Sequence, residues 1–480
     1  MIYPIGIQSF KEIREGGCAY VDKTGLVYQL THSGKYFFLS RPRRFGKSLI
    51  LSTIEAYFEG RKELFDGLAI AELEKDWNAY PVIHIDLNTG NYETVDGLLR
   101  RINLTLLDQE NKHGQPTVES DSGLRFESLI KNIYKSTGSR VVVLIDEYDK
   151  PLLNAIGNPE LQEAMRNELR DLYSVLKSCD QYIRFAMLTG VTKFGRLSVF
   201  SGLNNLRDIS FRPEYAALCG ITEEEMLSNF SEQIQGMASA EACTMEEMVA
   251  NLRHMYDGYR FTRANLLVYN PFSLLNAFDA CELGSYWFET GTPKYLVELL
   301  QHNDYALSDL DGATATVTQL SAFNPDTGED PIPVMYQSGY LTIKDYDEKR
   351  MRITLGFPNE EVRTGFMEYV YPFYAKAKNR QKFPFLSFKD EIEDGKAEEF
   401  MKRLQALTAD MSYEILANCE NDFQNLMYVI FSLASTKPVV ERHTSNGRID
   451  MLVETDRFVY IMEYKVDGSA QEAMDQIESK

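Results

Sequence analysis

The stretch YFFLSRPRRFGKSLILSTIEAYF, residues 36–58, decides how this chain is read. It opens on an apolar run, and it closes on a segment in which Leu49, Ile50, Ile54, Tyr57 and Phe58 share one face of a helix. Between the two stand Arg41, Arg43, Arg44 and Lys47. Like charges this close repel one another, so the cluster needs either solvent or an anionic partner.

Strand, loop, Gly-Lys-Ser and helix, in that order, form a phosphate-holding loop. Backbone N–H groups and the helix N-terminus cradle phosphates, the lysine reaches the terminal ones, and the serine hydroxyl holds Mg²⁺. The reading makes Arg41, Arg43, Arg44, Phe45, Gly46, Lys47 and Ser48 the candidate ATP-binding residues, with Ser48 also a metal ligand. Arg41 stands where the generic pattern has its first glycine, so the bare motif fails. A second element supports it. VVVLIDEYDKPL (141–152) is an apolar strand ending in Asp146, a candidate Mg²⁺ ligand, and Glu147, a candidate catalytic group that orients the attacking water. The strand ending AMLTGVTKF offers Thr189 beside the γ-phosphate, with a simple strand-end cap an equal reading. Alone, RRFGKS also reads as a solvated basic turn and LIDEYD as an acidic strand end; their joint occurrence after buried strands favours the triphosphate.

The wider composition agrees. A chain of 480 residues suggests roughly three domains. Its 44% hydrophobic and 12% aromatic content is that of a globular protein. There is no run of about 18 apolar residues, so no membrane is expected, and the N-terminus lacks a secretory signal. Cys18, Cys179, Cys219, Cys243, Cys281 and Cys419 lie far apart, which reads as buried thiols of a cytoplasmic protein. A net charge of −21 argues against charge-driven binding along a nucleic-acid backbone, but not against a local basic site.

KYFFLS (35–40), YPVIHIDL (80–87), RVVVLIDE (140–147) and YIRFAMLTG (182–190) read as strands buried on both faces, with room between them for crossover helices. The fold class is α/β, with a mainly parallel, helix-covered sheet. After about residue 210 the character changes to charged amphipathic helices, the first opened by Thr222 with Glu225 in capping-box spacing. The expected division is a P-loop core over 1–210, a helical and mixed lid over 211–385, and a third domain over 386–480.

YVDKT (20–24), RPRRFGKSL (41–49), LIDEYDKPL (144–152), GLNNLRDIS (202–210), YDGYRF (256–261) and YNPFSLL (269–275) together resemble the AAA-ATPase-like family of bacterial ATP-binding proteins, whose usual partner is a C-terminal PD-(D/E)XK nuclease-like domain. The resemblance implies a P-loop NTPase core of the AAA+/STAND kind with a helical lid, and in that family an arginine at position 41 is the norm. YDGYRF and YNPFSLL are aromatic and turn-rich, and core packing with helix capping is the preferred reading of both.

The second constellation is SNGRIDMLVETDRFVYIMEYKVDG, 445–468. IDMLVET and FVYIMEYKV read as two strands. Val459, Ile461, Glu463 and Lys465 share one face, and Tyr460, Met462 and Tyr464 share the other. A turn centred on Asp456-Arg457 sets Asp450 opposite Glu463, with Cβ atoms about 5 Å apart. Opposed carboxylates repel, and a divalent cation removes the conflict. Asp450 and Glu463 are therefore candidate metal ligands and catalytic residues, with Lys465 a catalytic cation. The competing reading makes Lys465 a surface ion-pair partner. D…ExK is the pattern of PD-(D/E)XK nucleases; resemblance adds Glu420 and Gln476 at positions where the family carries an acid and a glutamine. Because relatives continue through further strands, this α/β domain reads as incomplete.

The function expected is an ATPase, using ATP and Mg²⁺, whose nucleotide state controls a metal-dependent nuclease acting on DNA or RNA. The alternative is a regulatory ATP-binding switch whose C-terminal domain is an inactive interaction module. Homo-oligomerisation stays open, and Arg196, Arg207 and Arg260 remain level as arginine-finger candidates.

Overall fold

The computed structural model describes residues 1–119, 121–193, 199–200, 203, 205–288, 294–321, 330–375, 384–409, 420–434, 438–443, 448–464 and 470–479. The chain packs as two units, one of Met1–Trp287 with Thr314–Asn359, the other of Phe288–Ala313 with Glu360–Lys480. This differs from breaks at 210 and 385. Residues 211–287 join the nucleotide core because their apolar faces close on it: Tyr259 and Phe261 pack edge-on against Phe45, at 4.7 and 5.2 Å.

The first unit holds a five-stranded parallel sheet. Its strands are β1 (Tyr36–Ser40), β2 (Val82–Asp86), β3 (Val141–Asp146), β4 (Ile183–Gly190) and β5 (Arg207–Asp208), in the order β2-β3-β4-β1-β5. β1 and β3 are buried along their whole length, as strands covered by helices on both sides must be. The helix Lys47–Phe58 follows β1 and buries Ile50, Leu51, Ile54, Tyr57 and Phe58, with Leu49 only half-buried. Beyond the sheet, the helices Glu223–Ala240 and Met245–Tyr256 each start with a capping box, Thr222 with Glu225 and Thr244 with Glu247. An antiparallel sheet of β6 (Thr314–Ala315), β7 (Thr342–Asp347) and β8 (Arg352–Gly356), ordered β6-β8-β7, completes the unit.

In the second unit the helices Glu360–Ala375 and Glu420–Leu433 pack together. Its sheet is antiparallel, β11 (Val459–Met462), β10 (Arg448–Glu454) and β9 (Val439–His443), in that order. The sequence reading had a hairpin and lacked β9. Among the described residues no helix is long and apolar enough to cross a membrane. Of the cysteines, Cys179 and Cys219 are buried and Cys18 and Cys243 half-buried, while Cys281 is exposed, and all five are free thiols. Cys419 lies outside the described residues.

Candidate functional site

The first site forms where β1, β3 and β4 end. β4 lies between the other two, and this brings its tip to the acids of β3. Gly46 caps the helix Lys47–Phe58 at φ +87, where an L side chain is strained. Arg44 is also left-handed, at φ +68. Left-handed residues within a loop curl it and turn successive N–H groups to one side, next to the unpaired N–H groups that open any helix.

Lys47 is 4% exposed. Its Nζ donates to the Pro42 carbonyl at 3.1 Å and lies 3.5 Å from Glu147 Oε1. Ser48, half-buried, is the second residue of the helix. Asp146 Oδ1 accepts from the Thr189 hydroxyl at 2.5 Å and from the Glu147 N–H at 3.0 Å. Glu147 is left-handed at φ +51, a backbone state that costs a non-glycine residue about 1–2 kcal/mol. The structure thus brings Lys47, Ser48, Asp146, Glu147 and Thr189 to one place.

The arginines separate. Arg41 is 1% exposed and donates to the carbonyls of Ser40, Ser210 and Tyr215, with its guanidinium 4.4 Å over the Phe261 ring. Burial pushes its pKa down. A cation this buried, with both terminal nitrogens on backbone carbonyls, braces the end of β1, so Arg41 is corrected from ligand to support. Arg44 is likewise committed, donating to the Tyr286 carbonyl at 2.9 Å and stacking 3.5 Å over Phe272. Phe45 is an interior anchor between Tyr259 and Phe261 and offers only its backbone to the loop. Arg43 is half-buried. Burial and the Arg43 charge together lower the pKa of Lys150, two cations that disfavour each other. Of the arginine-finger candidates, Arg260 donates to the carbonyls of Thr262, Arg263 and Ala264, and Arg207 to that of Ser33. Arg196 lies outside the described residues.

The C-terminal hairpin has the register read from sequence. Met451 pairs with Met462, Leu452 with Ile461, Val453 with Tyr460 and Glu454 with Val459, so the next pair along is Asp450 and Glu463. Asp-Arg is a poor two-residue turn. Here the Thr455 hydroxyl holds it, accepting from the Phe458 N–H at 2.9 Å. Asp450 Oδ2 accepts the Tyr464 N–H at 2.9 Å, and Tyr464 is driven above the usual phenol range by burial and the Asp450 charge. On this face the β11 residues are exposed, Val459 at 61% and Ile461 at 42%, while Asp450 and Leu452 of β10 are buried. Lys465 and the side chain of Glu420 lie outside the described residues, and Gln476 is half-buried on the helix Ala470–Ser479.

The family model described as "Predicted AAA-ATPase" matches residues 4–200, and that of the PD-(D/E)XK nuclease superfamily matches residues 418–480. The chain is also similar to the "Uncharacterized protein in vnfD 5'region" of Azotobacter chroococcum mcd 1. The two are 38% identical over 491 residues, covering 99% of this chain and 92% of that one. The chain belongs to the predicted AAA-ATPase family.

This AAA-ATPase-like protein carries one further site residue that the sequence reading passed over. Asp149, fully buried, accepts from the N–H groups of Val191 and Thr192 and from the Thr192 hydroxyl. Burial and the nearby Glu147 charge raise its pKa to about 6. Gly190 makes the approach feasible, since a Cβ there would lie 2.4 Å from Asp149 Oδ1. Asp149 therefore fastens the tip of β4, and with it Thr189, to the end of β3. A third acid two residues after Glu147 was the available signal. Among the described residues no three His, Cys, Asp or Glu side chains gather as a metal site. A cation at either site would accordingly take about two protein oxygens, the rest coming from phosphate and water, as Mg²⁺ commonly does.

Proposed function

We propose that this protein binds and hydrolyses ATP with Mg²⁺ at the β1 loop, and that the nucleotide state governs a metal-dependent nuclease-like unit acting on nucleic acid. The observation that carries the reading is the meeting of Lys47 Nζ with Glu147 Oε1 at 3.5 Å beside an Asp146 already held by Thr189. In this reading the terminal phosphates take the place of Glu147 as partner of Lys47. Glu147 is then released to orient the attacking water, and Thr189 holds Asp146 in line. The Ser48 hydroxyl and Asp146 would hold Mg²⁺, which supplies charge neutralisation on the phosphates. Arg43 and Lys150, whose charges oppose each other, are relieved by an incoming anion.

At the hairpin, Asp450 and Glu463 are the metal-holding pair, with Lys465 the catalytic cation. Engagement of Asp450 by the Tyr464 N–H favours a second reading, a regulatory switch with an inactive C-terminal unit. The test is steady-state ATP turnover with paired variants. Lys47→Ala should lose turnover, and Glu147→Gln should retain ATP binding while hydrolysing at a rate lower by about two orders of magnitude. An unchanged rate in Lys47→Ala ends the reading, and normal turnover in Glu147→Gln removes Glu147 from its role.

A further inference from the structure

In the first unit, away from the β1 loop, the segment after β5 and the small antiparallel sheet line an open pocket of about 350 Å³. Its base is apolar, with Ile343 of β7 and Ile353 of β8 both buried. Tyr346, half-buried, contributes an aromatic wall. At the mouth stand Arg212, Arg263 and Glu214. Arg212 and Glu214 lie 3.8 Å apart and are each about half exposed, a pairing worth little in water. Arg263 is exposed, its backbone carbonyl accepts from Arg260, and its guanidinium makes no ion pair among the described residues.

We propose that this pocket is a second nucleotide site, which takes a base into the cavity and its phosphate onto Arg212 and Arg263. Three features select that ligand. The volume lies near the low end of small-molecule sites, enough for one nucleoside and not for an extended chain. An apolar base with an aromatic wall suits a planar ring, since base–aromatic stacking tolerates every base. Two guanidinium groups at the rim of a chain with net charge −21 form a local anion site, and their forked donors match a phosphate. Glu214 adds an acceptor for a base N–H or a ribose hydroxyl. The same chemistry is presented by a free mononucleotide and by the end of a single strand. The inference does not rest on the reading of the β1 loop.

The experiment uses the full chain carrying Lys47→Ala, so that the β1 loop does not take up the probe, in EDTA, so that no strand is cut. Thymidine monophosphate is titrated by calorimetry and fluorescein-labelled dT10 by anisotropy. The tests are made on this background, on Arg212→Glu with Arg263→Glu, and on Tyr346→Ala, each checked for folding by tryptophan fluorescence. Phe211 is left intact because it also carries Lys193, 4.2 Å over its ring. Affinity should fall at least tenfold in both the charge-reversed and the Tyr346→Ala proteins. Loss for both probes assigns a free nucleotide, and loss for dT10 alone assigns a strand end. The proposal is overturned if neither probe binds at millimolar concentration, or if affinity stays within twofold in the charge-reversed protein. A loss on charge reversal that Tyr346→Ala does not share also overturns it, since unspecific attraction then accounts for the binding.

Discussion

The two candidate sites hold their charges in opposite ways. At the β1 loop Lys47 leans on Glu147, Asp146 on Thr189, and Asp149 on the tip of β4. All of this is packed at the end of a sheet buried on both faces. At the hairpin, Asp450 is buried and has the Tyr464 N–H, while Val459 and Ile461, further along the facing strand, are exposed. The first arrangement is organised before any ligand arrives, which is how transition-state charge is stabilised at small reorganisation cost. The second depends on the register of one hairpin, and β11 is an edge strand with no neighbour on its outer side among the described residues.

The contrast can be broken first at the hairpin. With Mg²⁺ or Mn²⁺, nicking of DNA or RNA should vanish in Asp450→Ala and in Glu463→Ala while ATP turnover stays unchanged. Cleavage that survives both variants places the activity elsewhere. Next, Arg41 as a buried brace predicts that Arg41→Lys, which keeps the charge but loses the forked donors, costs roughly 3 kcal/mol of stability. Both tryptophans, Trp77 and Trp287, lie in the first unit, so their fluorescence reports its melting alone. Below the transition the affinity for ATP should match wild type, and a loss of affinity without a loss of stability would return Arg41 to the phosphates.

Asp149 gives a pH test. Its native carboxyl is raised to about 6, against about 4 when unfolded, so between these values the native state holds the proton more tightly. Stability from this group is therefore greatest below pH 4 and falls as pH rises to 6, by roughly 2–3 kcal/mol. Asp257, also raised to about 6 by burial, acts with the same sign. Urea melts of the first unit should show a stability difference between wild type and Asp149→Asn that changes across pH 4–6 and is flat above it. At pH 7.5 the same variant should lower kcat about tenfold with little change in KM, because Thr189 loses its support. A parallel rise in KM would instead mark Asp149 as a binding group. The smallest effect is Thr455→Ala, which removes the turn hydroxyl and should cost about 1 kcal/mol. Faster amide exchange confined to residues 448–462 is the expected result.

Much of this was legible in the chain. Four buried strands announced themselves as apolar runs, and the hairpin register followed from pairs summing to a constant around Asp456-Arg457. Strand order was not legible, because periodicity reports what is buried and not which neighbour buries it. The insertion of β4 between β1 and β3, which lets Thr189 reach Asp146, therefore appears only in three dimensions. The arginines show the same limit. Arg41, Arg43 and Arg44 look equivalent in sequence, yet Arg41 is buried among carbonyls, Arg44 stacks on Phe272, and Arg43 sets its charge against that of Lys150. β9 was missed because its apolar part, Val439-Val440, is too short to carry a period.

The central claim is that a triphosphate sits on the β1 loop against Lys47, and titration calorimetry with a slowly hydrolysed ATP analogue and Mg²⁺ addresses it most directly. One site per chain is predicted for the wild-type protein, lost in Lys47→Ala and kept in Glu147→Gln. No heat of binding at millimolar analogue, or equal affinity in wild type and Lys47→Ala, would contradict it.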